Sequence, residues 1–306
     1  MRVACAVEGE RYLRHCAAML HSLQVQNPDL PIRIEYLHGG DTSARNRERL
    51  ARMVAGLGGE IRFHEISDRW VEGLPVKGFT RKATWYRIFL EELLLDADRV
   101  IYLDVDLLVT DSLLPLWRMQ LDGHVLAAVT NVPPLHEKAY VERQQLGGDP
   151  YFNAGVLLLD LAAFRREGIG QQLREFSVQN AARLRWRDQD ALNEVLHARR
   201  LRLHPRWNCM NAVMNFGSAI EYFDAGELEE ARGHPAVRHF EGPVYNKPWH
   251  LLCQERMSEL YFEHRRQTPW PRVRRSGCTP ANVLRYGKRR LVADLTREGG
   301  SAAPRG

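Results

Sequence analysis

Apolar and polar positions change period in a regular way along the chain. Residues 2–7, 32–37 and 60–66 are short runs of β-branched, aromatic and small apolar residues, the pattern of strands. Residues 11–26 and 43–57, between them, repeat their apolar positions at helical spacing. Strand alternating with helix at this length predicts an α/β fold with a mixed, mainly parallel sheet flanked by helices. The alternation continues. A helix is expected over 80–95, an apolar β run over 100–109, strands over 124–130 and 152–159, and helices over 169–184 and 188–198.

The 100–109 run carries the first chemistry, because Asp104 and Asp106 interrupt it one residue apart. In a strand such a pair shares one face, and open α/β sheets bind ligands at the carboxyl ends of their strands. Two carboxylates placed so can hold a divalent cation. The pattern alone is weak: with 15 Asp in the chain, chance predicts on the order of one Asp-x-Asp, and three occur. Asp96 and Asp98 follow a helical run in a polar turn and read as solvated acids. Asp188 and Asp190 stand where a helix starts, where one of them is expected to serve as N-cap.

At 306 residues with 44% hydrophobic content, the chain can bury one large core. Its N-terminus meets charge at Glu8, too early for a signal peptide, and no run nears 18 apolar residues, so a cytoplasmic protein is expected. Five cysteines without a Cys-x-x-Cys support neither a disulfide framework nor a zinc cluster. The net charge of +5 hides an asymmetry: residues 264–306 hold eleven Lys and Arg against two acids, leaving the rest net negative. A catalytic domain over 1–265 followed by a basic tail over 266–306 is the expected organisation.

Three further segments stand beside the carboxylates: Tyr151-Phe-Asn153-Ala-Gly155, Arg187-Asp188-Gln189-Asp190, and His239-Phe-Glu-Gly242 followed by Lys247-Pro-Trp249. Together and in this order they resemble glycosyltransferase family 8, the retaining nucleotide-sugar enzymes that include the bacterial lipooligosaccharide galactosyltransferases and glycogenin. The resemblance covers about residues 1 to 265. It implies a GT-A-like, Rossmann-like fold and a hexosyltransferase that moves galactose or glucose from a UDP-sugar onto an acceptor hydroxyl of lipopolysaccharide or another cell-surface oligosaccharide. It also implies a metal set of Asp104, Asp106 and His239, a mixed oxygen and nitrogen site that suits Mn2+, with Mg2+ as second choice.

Donor-binding residues follow from the same resemblance: Ala6, Glu8, Arg87, Asp104, Val105, Asn153, Ala154, Asp188, Gln189, Gly242 and Lys247. Each has a plainer alternative. His239 could be a core histidine, Lys247 a solvated lysine in a turn, Arg87 an exposed helical arginine. Asn153 needs a partner if buried, and a backbone amide serves as well as a sugar hydroxyl. Two departures from the family pattern stand out. Glu8 takes the place of an Asp that holds the uridine, and four residues rather than two separate Gly242 from Lys247. Gln189 and Asp190 are the catalytic candidates, Gln189 near the anomeric carbon and Asp190 as a stabiliser of positive charge. Gln is a poor nucleophile, which favours front-face attack over a covalent intermediate.

In the tail, Leu284, Leu291 and Leu295 recur on one helical face with Arg285, Lys288, Arg289 and Arg290 around it. Such a segment suits an anionic membrane surface, so a peripheral position at the inner membrane face is expected, with a flexible solvated tail as the plainer alternative. Nothing resembles a nucleic-acid recognition motif. The rival functions are a metal-dependent phosphohydrolase using the same acids and a non-catalytic sugar-nucleotide-binding protein of the same fold.

Overall fold

The apolar runs form strands where their pattern predicts them. β1 (Arg2–Val7), β2 (Arg33–His38) and β3 (Glu60–Glu65) pair in parallel, with α1 (Gly9–Val25) and α2 (Ala44–Gly56) as the crossovers. Ser43 caps α2 by accepting from the Asn46 N–H. The chain then adds β4 (Arg99–Leu103), β5 (Leu107–Val109), β6 (Leu126–Thr130), β7 (Phe152–Asp160), β8 (Arg200–Leu203) and β9 (Val237–His239).

The computed structural model describes residues 1–76, 82–143 and 150–288. Its main sheet has seven strands in the order β3-β2-β1-β4-β7-β6-β8, and β7 alone runs against its neighbours. Alternate residues face opposite layers: Val3, Cys5, Ile101 and Leu103 enter one core, Ala4, Ala6, Val100 and Tyr102 the other. Burial on both faces is why these strands read as near-continuous apolar runs.

Two expectations are corrected. The 100–109 run is not one strand. It is β4, then a turn at 104–106, then β5, which leaves the main sheet to pair antiparallel with β9. The Asp104 N–H still bonds the Gly155 carbonyl at 2.8 Å, and beyond it Leu108 buries against Phe240, Trp249 and Tyr261 in a separate cluster. That burial draws the chain away, so the two acids share a turn rather than a strand face. The helix over 80–95 is instead a 3-10 segment, Lys82–Phe89, with one α-turn at Leu90–Leu93; Thr80 and Arg81 lie outside the described residues. Trp85, Tyr86, Arg87, Ile88 and Phe89 are all buried, so no solvent face exists to favour a regular amphipathic helix. Strands β8 and β9 were too short to signal themselves.

Packing onto the domain continues beyond residue 265. The Ser258–Arg266 helix lies on α1, Trp270 belongs to the main core beneath Arg49, and Ser276 bridges to His250. Residues 280–288 are helical, with Val283 and Leu284 exposed; Arg289, Arg290, Leu291 and Leu295 lie outside the described residues. Among the described residues no helix is long and apolar enough to cross a membrane.

His15 fixes α1 against this C-terminal region. Its ring stacks on Trp249 with centroids 3.7 Å apart, and its Nδ1 lies 2.6 Å from the Tyr261 hydroxyl. Burial, aided by Arg265, pushes its pKa down to about 3. The folded state therefore binds fewer protons than the unfolded one between the unfolded value near 6.5 and that point, so its contribution is full above 6.5 and falls as pH drops. At pH 5 the expected loss is about 2 kcal/mol. Thermal unfolding from pH 7.5 to 5 should show this slope, and His15→Phe should flatten it; an unchanged slope in that variant would refute the assignment.

Candidate active site

The turn at 104–106 brings three ligand-type groups together. His239 ends β9, opposite Leu107 in the register, so its ring reaches back over the turn. Its Nε2 lies 3.3 Å from Asp106 Oδ1 and 4.0 Å from Asp104 Oδ2. One ligand atom from each of the three lies within 4.8 Å of the others.

The other face of His239 fixes its orientation. Gly155 N–H donates to Asn153 Oδ1 at 2.9 Å, Asn208 Nδ2 donates to the same oxygen at 2.8 Å, and Asn208 Oδ1 then accepts from His239 Nδ1 at 2.9 Å. Because Asn208 turns its oxygen to the ring, Nδ1 donates to it and Nε2 is left facing the two carboxylates. Two carboxylates and an imidazole nitrogen brought together so fit a divalent metal. The partner of Asn153 is thus a backbone amide and a side chain, the second of its two sequence alternatives.

Gly155 has a steric role that the Phe-Asn-Ala-Gly motif hints at. A Cβ there would lie 2.3 Å from His239 Cε1 and 2.8 Å from Nδ1. Gly155→Ala must push the ring off its two carboxylates. We expect at least tenfold weaker Mn2+ binding by calorimetry and about 1–3 kcal/mol lost from stability through overpacking; unchanged metal affinity would refute the steric role.

Arg87 joins this end of the site to the other. Buried rather than exposed, it donates from Nη2 to Asp104 Oδ1 at 3.0 Å and from Nη1 to the Ala154 carbonyl, and its guanidinium lies over Tyr102 at 4.2 Å. Its Nε is 2.8 Å from Asp188 Oδ2 but misaligned, leaving both atoms without a hydrogen bond. Burial works to lower the Arg87 pKa, and Asp104 and Asp188 overcome it. Asp188, 2% exposed, is pushed up to about 7 by burial while Arg87 pulls the other way.

Lys247 lines the cavity beside the Asp104/Asp106/His239 set and is paired there. Its Nζ donates to Asp106 Oδ2 and to the Phe240 carbonyl at 2.7 Å. Against burial, Lys247 and His239 hold the Asp106 carboxyl well below the usual range. The longer Gly242–Lys247 loop still turns at Gly242, where φ is +87°.

Neither acid at 188–190 caps its helix. The N-cap of the Asp188–Leu196 helix is Arg187, at φ 53° and ψ −111°, with no side-chain cap. A non-glycine residue in that region is strained and persists only when its neighbours hold it. Asp190 supplies that hold: fully buried, it accepts from Trp186 N–H at 2.6 Å, Tyr151 OH at 2.6 Å and Tyr140 OH at 2.7 Å. Gln189 faces forward, accepting from Ala154 N–H at 2.9 Å. Asp190 therefore lies behind Gln189, away from where a sugar could reach.

A cavity of about 1000 Å³ opens over these groups, with Asp104, Asp106, Arg87, Asp188, Gln189 and Lys247 on its wall. Ala6, Glu8, Val105, Asn153, Ala154 and Gly242 also line it, but Asp190 does not. Glu8 Oε2 accepts from Ala83 N–H at 3.3 Å. Sequence reasoning missed Asn208, Tyr140 and Tyr151 as site-building residues, since their partners are distant in the chain, and Trp186, which contributes through its backbone N–H.

Comparison with known proteins agrees with this geometry. The description "Glycosyl transferase family 8" matches residues 4–253. General stress protein A of Bacillus subtilis is 29% identical, covering 88% of this chain and 93% of that protein. Lipopolysaccharide 1,2-glucosyltransferase of Escherichia coli is 25% identical over 73% of this chain and 65% of its own. The crystal structure of galactosyltransferase LgtC with donor and acceptor sugar analogs superposes with a TM-score of 0.78 at 30% identity, covering 88% and 96% of the two chains. With the match spanning residues 4–253, which hold the Asp104/Asp106/His239 set, Arg87, Asp188 and Gln189, the chain belongs to glycosyltransferase family 8 and has its α/β GT-A fold.

Proposed function

We propose that this glycosyltransferase moves a hexose, galactose or glucose, from a UDP-sugar to a hydroxyl of lipopolysaccharide or a similar cell-surface oligosaccharide, with retention. One observation carries the reading: Arg87 ties the Asp104/Asp106/His239 set to Asp188 and Gln189 across a single cavity. A donor has a diphosphate end and a sugar end, and the cavity offers cation-holding groups at one side and hydroxyl-binding groups at the other. The glucosyltransferase of Escherichia coli and the lipopolysaccharide 1,3-galactosyltransferase of Salmonella typhimurium, which is 21% identical over 92% of this chain and 83% of its own, support the acceptor class.

Asp104, Asp106 and His239 would hold the metal, which supplies charge neutralisation at the leaving diphosphate as a Lewis acid. Two oxygens and an imidazole favour Mn2+ over Mg2+. Arg87 orients Asp104, and Asp188 accepts from sugar hydroxyls beside the unmet Arg87 Nε. Glu8, with Ala6, Val105, Asn153 and Ala154, borders the nucleoside and donor side, and Gly242 lets backbone approach the diphosphate. Lys247 pairs with Asp106 and is within the loop that faces the leaving group. Gln189 lies forward of Asp190 and is no nucleophile, which supports front-face attack with the departing phosphate accepting the acceptor proton.

The basic tail, 266–306, is the part proposed to meet an anionic membrane at the inner face. A phosphohydrolase of this kind would use a second metal, and the described residues hold one cluster of metal-ligand type. The test is release of UDP from UDP-galactose and UDP-glucose with Mn2+, with and without an oligosaccharide acceptor. Release stimulated by acceptor supports transfer; tight UDP-sugar binding with no turnover would make the protein a binder, and no binding at all would sink the reading.

A further inference from the structure

We propose that a second groove, adjoining the donor cavity across a ridge, holds the distal sugars of an extended oligosaccharide acceptor, one of them carrying a phosphate or carboxylate. The inference rests on the transferase reading above. This groove encloses about 470 Å³ and is lined by Ile220, Ala225 and Leu228 together with Glu229, Arg232 and Arg256. Its volume falls within the range of ligand sites, about 300–1,000 Å³. Two pairs of chain neighbours join it to the donor cavity: Phe216 and Glu255 line that cavity, and the residues that follow them, Gly217 and Arg256, line the groove. At the ridge itself Asn215 Nδ2 donates to Glu255 Oε2 at 2.6 Å, so the two chain segments meet.

Side chains from behind hold the ridge in place. Arg232 donates from Nε to the Val213 carbonyl at 2.8 Å and from Nη2 to the Phe216 carbonyl at 3.0 Å, and the buried Arg238 donates from Nε to the Arg256 carbonyl at 3.1 Å. Front-face attack then sets the direction of the acceptor, because its hydroxyl must enter on the side from which the phosphate departs. Its remaining sugars therefore run along the loop from Gly242 to Lys247. That wall leads to the ridge: Glu241 accepts from the Asn211 N–H at 2.5 Å and the Ala212 N–H at 3.1 Å, at the start of the short Asn211–Asn215 helix that ends beside Phe216.

Exposed apolar side chains mark the route. Tyr245 in the loop, Phe216 on the ridge and Ile220 in the groove are 54%, 38% and 66% exposed, and large apolar groups held in water are surfaces on which the C–H faces of sugar rings can pack. Charge marks its end. Arg256 is exposed and makes no ion pair among the described residues, its neighbour Glu255 lying 3.7 Å from Arg238 instead. Arg232 adds a second guanidinium, against which the described groove wall sets one acid, Glu229. A phosphate or carboxylate on a distal sugar complements that excess, since either accepts paired N–H bonds from a guanidinium.

The test measures transfer from the UDP-hexose by the full chain to a short acceptor, methyl glucoside or methyl galactoside, and to a phosphorylated lipopolysaccharide core oligosaccharide freed of its acyl chains. Wild type should use the oligosaccharide with kcat/KM about tenfold or more above the glycoside. Ile220→Asp and Arg256→Gln should each remove most of that gain, through KM with kcat kept, and leave transfer to the glycoside within about twofold of wild type. Both positions are exposed, so neither change threatens the core. Phosphatase treatment of the oligosaccharide separates the two anions: an Arg256→Gln effect that vanishes assigns phosphate, and one that persists assigns a carboxylate. A gain that survives in either variant, or no gain in wild type while the glycoside is still used, overturns the groove and leaves the transferase reading standing. A gain confined to the acylated lipopolysaccharide puts an acyl chain in the groove and also overturns the proposal. No UDP release with any acceptor overturns both readings together.

Discussion

Asp106→Asn is expected to lower UDP-hexose turnover by about three orders of magnitude or more, equivalent to about 4 kcal/mol of transition-state stabilisation. The substitution keeps the shape and removes the charge. Asp106 faces His239 Nε2 on one oxygen and Lys247 Nζ on the other, so the change acts twice. It weakens the cation site, and it leaves the buried Lys247 ammonium with the Phe240 carbonyl as its remaining partner. Removing one partner of a buried pair typically costs about 3 kcal/mol or more, so the melting temperature should fall too. Combining Asp106→Asn with Lys247→Met removes the stranded charge and should restore most of the stability while turnover stays lost. If turnover returned with stability, Asp106 would be a structural acid, and the cation site would need another explanation. Calorimetry with Mn2+ supplies the independent readout, since affinity should fall in the single and the double variant alike.

The parts of this site that the sequence displays are those carried by short motifs. Asp104 and Asp106 stand out because an apolar run stops at them, and Gly155 because it ends a motif. The reason for each was less visible. The acids share a face not through strand alternation but because β5 is drawn off to β9, a pairing across more than 120 residues that no local pattern encodes. Gly155 is small because His239, from that distant strand, fills the space a Cβ would need. Asn208 left no local signal at all: its role exists only between Asn153 and His239. Helix capping misled in the same way. Asp at a helix start predicts a cap, yet the fold places Arg187 there in a strained conformation and turns Asp190 inward. Local chemistry was legible; the long-range contacts that assign it were not.

Asp190→Asn should cut turnover by about 10- to 100-fold, far less than removal of a nucleophile would, because Asp190 acts through its neighbours. Both its oxygens are occupied by Tyr140, Tyr151 and the Trp186 N–H, and it is sealed from the cavity. Those three bonds hold the 185–189 segment, with its strained Arg187, so that Gln189 meets the Ala154 N–H and Asp188 meets Arg87. An asparagine can accept on one side but must present N–H groups to donors on the other, so the segment loosens without collapsing. The tyrosines should then share the phenotype. Tyr140→Phe and Tyr151→Phe are each expected to cost several-fold in kcat, and either one combined with Asp190→Asn should cost little more than Asp190→Asn alone, because one network is broken only once. A nucleophile predicts a different pattern. Asp190→Asn would then lose about four orders of magnitude, the order seen for removing a catalytic acid that acts directly, and the tyrosine changes would multiply with other substitutions instead of merging with it. Measuring kcat for the two single tyrosine variants, Asp190→Asn and the combinations separates the two, and multiplicative losses would overturn the positioning role.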